Sequence, residues 1–117
     1  MMNRTLVLKA LADETRMTMV SLLLGHRYCV RALARKLKLS EATISQHLKV
    51  LREADLVIGE RRGYFVHYEV KRDILHQLAQ DLEALAATQA TDASSEGLGS
   101  GAHESCSYRC HQPVVLV

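Results

Sequence analysis

No apolar run in these 117 residues approaches the roughly 18 that a membrane span needs, and the N-terminus lacks the block organisation of a signal peptide. A cytoplasmic chain with no membrane partner is the expectation. Charge of one sign is scarce as well: 15 Lys and Arg stand against 13 Asp and Glu, a formal net charge of +2. That is weak for a nucleic-acid binder, so any basic surface has to be local. The sequence also lacks a phosphate-binding loop and a carboxylate pair. With three cysteines and six histidines, a thiol-dependent enzyme remains only a distant alternative. A chain of this length, 48% hydrophobic and 24% charged, is long enough for one domain with a modest core and too short for two.

What the sequence does contain is helical periodicity. Val30, Leu33, Ala34 and Leu37 recur at helical spacing, so a short amphipathic helix is predicted over about 30–37. A tight Lys38-Leu39-Ser40 turn follows, with Ser40 as the N-cap of a second helix. On that helix Ile44, Leu48 and Leu51 share one side, while Glu41, Ala42, Ser45, Gln46 and Lys49 share the other. One face anchors a core; the other is small, polar and rich in donors and acceptors, as a helix lying in the major groove requires. An ordinary αα corner would read similarly over this segment alone. Leu56-Val57-Ile58 then starts a strand, Arg61-Arg62-Gly63 reads as a turn, and 64–70 alternates with Tyr64, Val66, Tyr68 and Val70 on one face. A β-hairpin after a recognition helix is a wing, and arginines at its tip suit phosphates or the minor groove. They also suit a solvated strand edge.

Basic residues gather around this unit: Arg31, Arg35, Lys36 and Lys38 before the second helix, Lys49 and Arg52 on it, and Arg61, Arg62, Lys71 and Arg72 after it. An earlier core helix is predicted from Asp13, its N-cap, to Gly25 at a left-handed end, with Met17, Val20, Leu23 and Leu24 spaced for burial. Leu6, Val7, Ala10 and Leu11 form the apolar side of a first helix. Ile74, Leu75, Leu78, Ala79, Leu82, Leu85 and Ala86 make a broad stripe on a last helix over about 72–88. That stripe exceeds what so small a core can cover, which predicts a homodimer formed by the first and last helices. A two-fold axis would set two recognition helices about 34–36 Å apart, one turn of double-stranded DNA.

Residues 8–16, 39–52, 56–57 and 66–68 together resemble the ArsR/SmtB family of bacterial winged-helix repressors. The resemblance runs in order over about residues 5–88. It implies a mainly α fold with a β-hairpin wing, dimerising through its first and last helices, that binds a near-palindromic operator. An inducer, commonly a metal or metalloid ion, releases it. The residues expected to meet DNA are Ser40, Glu41, Ala42, Thr43, Ser45, Gln46, His47 and Lys49 of the recognition helix and Arg61 and Arg62 of the wing. His47 matches a position where the family often has histidine and is read as a DNA-side or packing residue.

The inducer site departs from the family pattern. Thiol-dependent members carry Cys-Val-Cys where this chain has Cys29-Val30-Arg31, and a further thiol position is occupied by Ala34. The interfacial zinc pattern is also broken, since Asp73-Ile74-Leu75-His76 is one residue too long. Residues 1–90 therefore read as the DNA-binding and dimerisation domain, and 91–117 as a flexible tail. That tail is rich in Gly and Ser over 94–101 and carries Cys106, Cys110 and His111. About 15 residues of linker span some 20 Å root-mean-square, enough for Cys106 and Cys110 to approach Cys29. Three thiolates suit As(III) or Sb(III); adding His111 suits Zn(II) or Cd(II). Alternatively, Cys106 and Cys110 answer oxidants or persulfides as a redox pair.

Overall fold

A computed structural model describes residues 2–91. The elements are α1 (Arg4–Leu11), α2 (Glu14–Gly25), α3 (Val30–Leu37), α4 (Glu41–Glu53), β1 (Val57–Arg62), β2 (Phe65–Val70) and α5 (Arg72–Ala86). By internal contact the chain falls into two units, Met1–Glu83 and Ala84–Val117. The core lies in the first. No helix among the described residues is long and apolar enough to cross a membrane.

Local chemistry sets the helix boundaries. Asn3, Asp13 and Ser40 each place a side-chain oxygen on a backbone N–H three residues on, the standard satisfaction of orphan donors at a helix start. Helix α4 ends in a Schellman motif: Asp55 adopts φ 62, its N–H donates to the Arg52 carbonyl and the Leu56 N–H to that of Leu51. Asp55 also receives Lys71 Nζ at 3.0 Å, which ties this corner to the end of β2. Lys38 takes φ 58 at the end of α3, with the Leu39 N–H on the Ala34 carbonyl, so the bend of the helix-turn-helix is made without glycine.

The core threads every element. Ile44, Leu48 and Leu51 of α4 pack with Val7 and Ala10 of α1, Met19, Val20 and Leu23 of α2, and Leu33 and Ala34 of α3. Ala54, Leu56, Val57, Val70, Ile74 and Leu78 complete it, and among the described residues no polar or charged residue is buried as a whole. Two expectations shift here. Met19 rather than Met17 enters the core; Met17 is 47% exposed. Gly25 lies within α2, which ends at an extended His26 (φ −165), so no left-handed glycine terminates it. Leu6 of α1 is exposed, and Leu11 only half-buried.

The hairpin also differs in register. Arg62 pairs with Phe65 and Val57 with Val70, so the loop is Gly63-Tyr64. A positive φ at Gly63 (69°) and none at Tyr64 is the type II′ pattern, whose twist matches the strands it joins. Arg61 and Arg62 therefore belong to β1, and Tyr64 leaves the packed face for the turn. Tyr28 adds a single bridge on the other side of β2, its carbonyl accepting the Tyr68 N–H at 2.9 Å.

On α5, Ile74 and Leu78 are buried and Leu75 half-buried, while Leu82 (44%) and Leu85 (59%) remain open to solvent. Thr88 closes the helix, its hydroxyl donating to the Ala84 carbonyl at 3.2 Å. Arg4 of α1 reaches Asp81 of α5 at 3.8 Å.

Candidate nucleic-acid interface

Burial of Ile44, Leu48 and Leu51 settles which side of α4 faces out. Glu41, Ala42, Ser45, Gln46 and Lys49 are all exposed on it, together with Arg52 further along. Ser45 and Gln46 offer the hydrogen-bonding groups suited to base edges, and Lys49 a charge suited to phosphate. Ser40 and Thr43 are engaged at the start of the helix: Ser40 Oγ accepts the Thr43 N–H at 3.1 Å and donates to Thr43 Oγ1 at 2.9 Å. Their first task is to cap α4. Arg31 of α3 stands 3.9 Å from Glu41, both well exposed, a pair that contributes little to stability.

His47 lies on the other side. It is half-buried, with Nδ1 3.3 Å from Arg16 Nη1 of α2. Arg16 also donates through Nε to the Ala10 carbonyl at 2.6 Å and through Nη2 to that of Lys9 at 3.3 Å. Sequence reasoning missed this hub. Helical periodicity scores only residues on one element, and the partners of Arg16 lie up to 31 positions away. Asp13 beside it has its carboxyl held below the ordinary value. The Arg16 N–H bonded to it is the main cause, helped by the positive charge of Arg16.

On the wing, neighbouring strand residues point to opposite faces, so Arg61 and Arg62 diverge. Arg61 donates to the Gly63 carbonyl at 3.4 Å, folded over the turn. Arg62 sits 3.3 Å from Glu60 on the other face. The tip itself presents Tyr64, 95% exposed, a second residue that sequence reasoning misplaced.

Cys29 occupies the N-cap position of α3, half-buried and making no side-chain cap bond. It borders a cavity of about 370 Å³ between α3 and the wing, walled by Val30, Tyr64, Phe65, Val66 and Tyr68 with Arg31 and Glu41. Among the described residues no three His, Cys, Asp or Glu side chains gather to hold a metal ion. Cys106, Cys110 and His111 lie outside the described residues.

Residues 13–58 match the family described as bacterial regulatory protein, arsR family. The transcriptional repressor SdpR of Bacillus subtilis is 32% identical over 69 residues, 59% of this chain and 77% of that protein. The arsenical resistance operon repressor of Escherichia coli is 44% identical over 68 residues, 56% of this chain and 57% of its own length. The chain thus spans little more than half of that second relative. The solution structure of a homodimeric winged helix-turn-helix DNA-binding domain from Mycobacterium bovis, a possible ArsR-family regulator, superposes with a TM-score of 0.60. Its sequence identity is 28%, with 70% of this chain and 76% of that one covered.

Proposed function

The chain belongs to the bacterial arsR family of regulatory proteins, and from that premise we propose that it is a cytoplasmic, homodimeric transcriptional repressor that binds double-stranded operator DNA. One observation carries this reading. Helix α4 follows a tight turn with its apolar side buried and Glu41, Ala42, Ser45, Gln46 and Lys49 presented outward, beside a wing bearing Arg61, Arg62 and Tyr64. The role is binding rather than catalysis. Exposed Leu6 and Leu8 on α1 and Leu82 and Leu85 on α5 support dimerisation through these helices.

The inducer in this reading is a soft metalloid, As(III) or Sb(III), held by the thiolates of Cys29, Cys106 and Cys110, with His111 extending the set for Zn(II) or Cd(II). Two points support it. Cys29 stands at the start of α3, directly before the reading unit, and the E. coli relative is named for arsenical resistance. The replacement of a second local thiol by Arg31 favours one further reading, a redox or persulfide response at Cys106 and Cys110.

The test is fluorescence anisotropy of the reduced protein on DNA from upstream of its own gene, titrated with As(III), Sb(III), Cd(II) and Zn(II). Cys29→Ser and Cys106→Ser/Cys110→Ser proteins run alongside. Release by As(III) that disappears in both variants is the expected result. Binding indifferent to every ion, yet lost on oxidation, would replace the metalloid with the redox reading.

A further inference from the structure

Arg16 makes more side-chain contacts across elements than the start of a surface helix needs. It sits in the first turn of α2, and its guanidinium bridges three elements: two carbonyls in the last turn of α1, those of Lys9 and Ala10, and the imidazole of His47 on α4. The last carbonyls of a helix lack intrahelical partners, so the α1 end is a natural acceptor for a planar, multiply donating group. We propose that Arg16 and His47 are positioning residues that set the recognition helix against the end of α1, and that they do so only while His47 is neutral. The inference rests on the DNA-binding reading of α4 and assigns neither residue a contact with DNA.

The chemistry follows from donor and acceptor inventory. A guanidinium donates and never accepts, so the 3.3 Å contact requires a lone pair on His47 Nδ1, with the ring proton on Nε2. Protonation at Nδ1 removes that lone pair and sets two cations against each other. The charged groups at this cluster are Arg16 itself and Asp13 at the α2 N-cap, whose carboxylate attracts both; α1 contributes main-chain carbonyl oxygens. Asp13 is already committed to the Arg16 N–H at 3.0 Å and does not restore the missing acceptor. Helix α4 is therefore held in place by a hydrogen bond that acid removes. Ser45 and Gln46, two residues and one residue before His47 on the same helix, move with it.

The experiment compares affinity for DNA from upstream of the gene with affinity for a random duplex of equal length, using the full chain, from pH about 8 down to about 5, the range in which imidazoles commonly titrate. The wild-type preference should fall about tenfold on acidification, the order of one charge-assisted hydrogen bond. Arg16→Lys keeps the charge but replaces three separate donor nitrogens in a planar fork by one point donor, which cannot reach both α1 carbonyls and His47 together; it should lose about tenfold in preference at neutral pH with random-DNA affinity unchanged. His47→Asn places an untitratable oxygen near the Nδ1 position, so it should keep the neutral-pH preference and flatten the pH profile. His47→Leu should lose the preference, which covers the case in which Arg16→Lys fails to fold.

Full preference in Arg16→Lys or His47→Leu, or acid sensitivity of His47→Asn equal to wild type, would overturn the proposal. Nitrogen-15 NMR of His47 reads the tautomer without DNA, and a proton on Nδ1 at neutral pH would overturn it independently. A wild-type protein with no preference for either duplex would instead defeat the DNA-binding reading, leaving the NMR result to decide the pairing.

Discussion

Replacing Gly59 with alanine tests whether the wing is packed as tightly as its geometry states. Gly59 pairs with Tyr68 across the hairpin, on the same face as the buried Val57–Val70 pair. A Cβ there would lie 2.8 Å from Tyr68 Cε1, 2.9 Å from Val66 Cγ1 and 3.2 Å from Tyr68 Cδ1. Neither neighbour yields easily: Val66 is stiff at χ1, and the Tyr68 backbone is held between β1 and the Tyr28 carbonyl. Overpacking of this kind costs about 1–3 kcal/mol. The lost freedom of glycine in the unfolded chain offsets about 0.4–1 kcal/mol of that. A net loss of about 1–2 kcal/mol corresponds to roughly 4–16 °C in Tm for a domain of this size. Thermal melts followed by circular dichroism, at one fixed protein concentration because a dimer's Tm depends on it, measure the shift. Val66→Ala in the same background should recover part of it. A Gly59→Ala protein as stable as wild type would refute the close approach.

Gln46→Ala should cost about 1–3 kcal/mol on operator DNA and little on random duplex, whereas Arg62→Ala should weaken both alike and reduce the salt slope by about 1. Anisotropy titrations at several salt concentrations separate the two, and equal losses on both duplexes for Gln46→Ala would remove its base-reading role. Leu82→Glu should shift the particle from dimer to monomer in light scattering, because it places a charge on the open apolar face of α5. Asp13 has a folded-state pKa below its ordinary value. Its contribution is complete above the unfolded carboxylate pKa of about 3.9 and is lost as pH falls through the lower folded value. Urea midpoints taken from pH about 5 down to about 2.5 should therefore fall less steeply for Asp13→Asn than for wild type; identical slopes would contradict the assignment.

Whatever depends on neighbours along the chain was legible from the residues alone. The spacing of Ile44, Leu48 and Leu51 fixes the inward side of α4 because a helix repeats every 3.6 residues, and the caps at Asp13 and Ser40 act three residues on. The outward residues Glu41, Ala42, Ser45, Gln46 and Lys49 follow by complement. The existence of a hairpin was legible too, but its register was not. Gly63 marks the turn, yet only strand pairing decides that the loop is Gly63-Tyr64, which puts Arg61 and Arg62 on opposite faces and Tyr64 at the tip. Met17 and Met19 are the same residue type, and docking of α2 against the core chose Met19. The pairing of Tyr28 with Tyr68 and the bridge from Arg16 to Lys9, Ala10 and His47 have no sequence signature. Periodicity and capping are set by short-range sterics and hydrogen bonds that a segment carries with it, whereas these contacts exist only once separate elements have packed at fixed distances and angles.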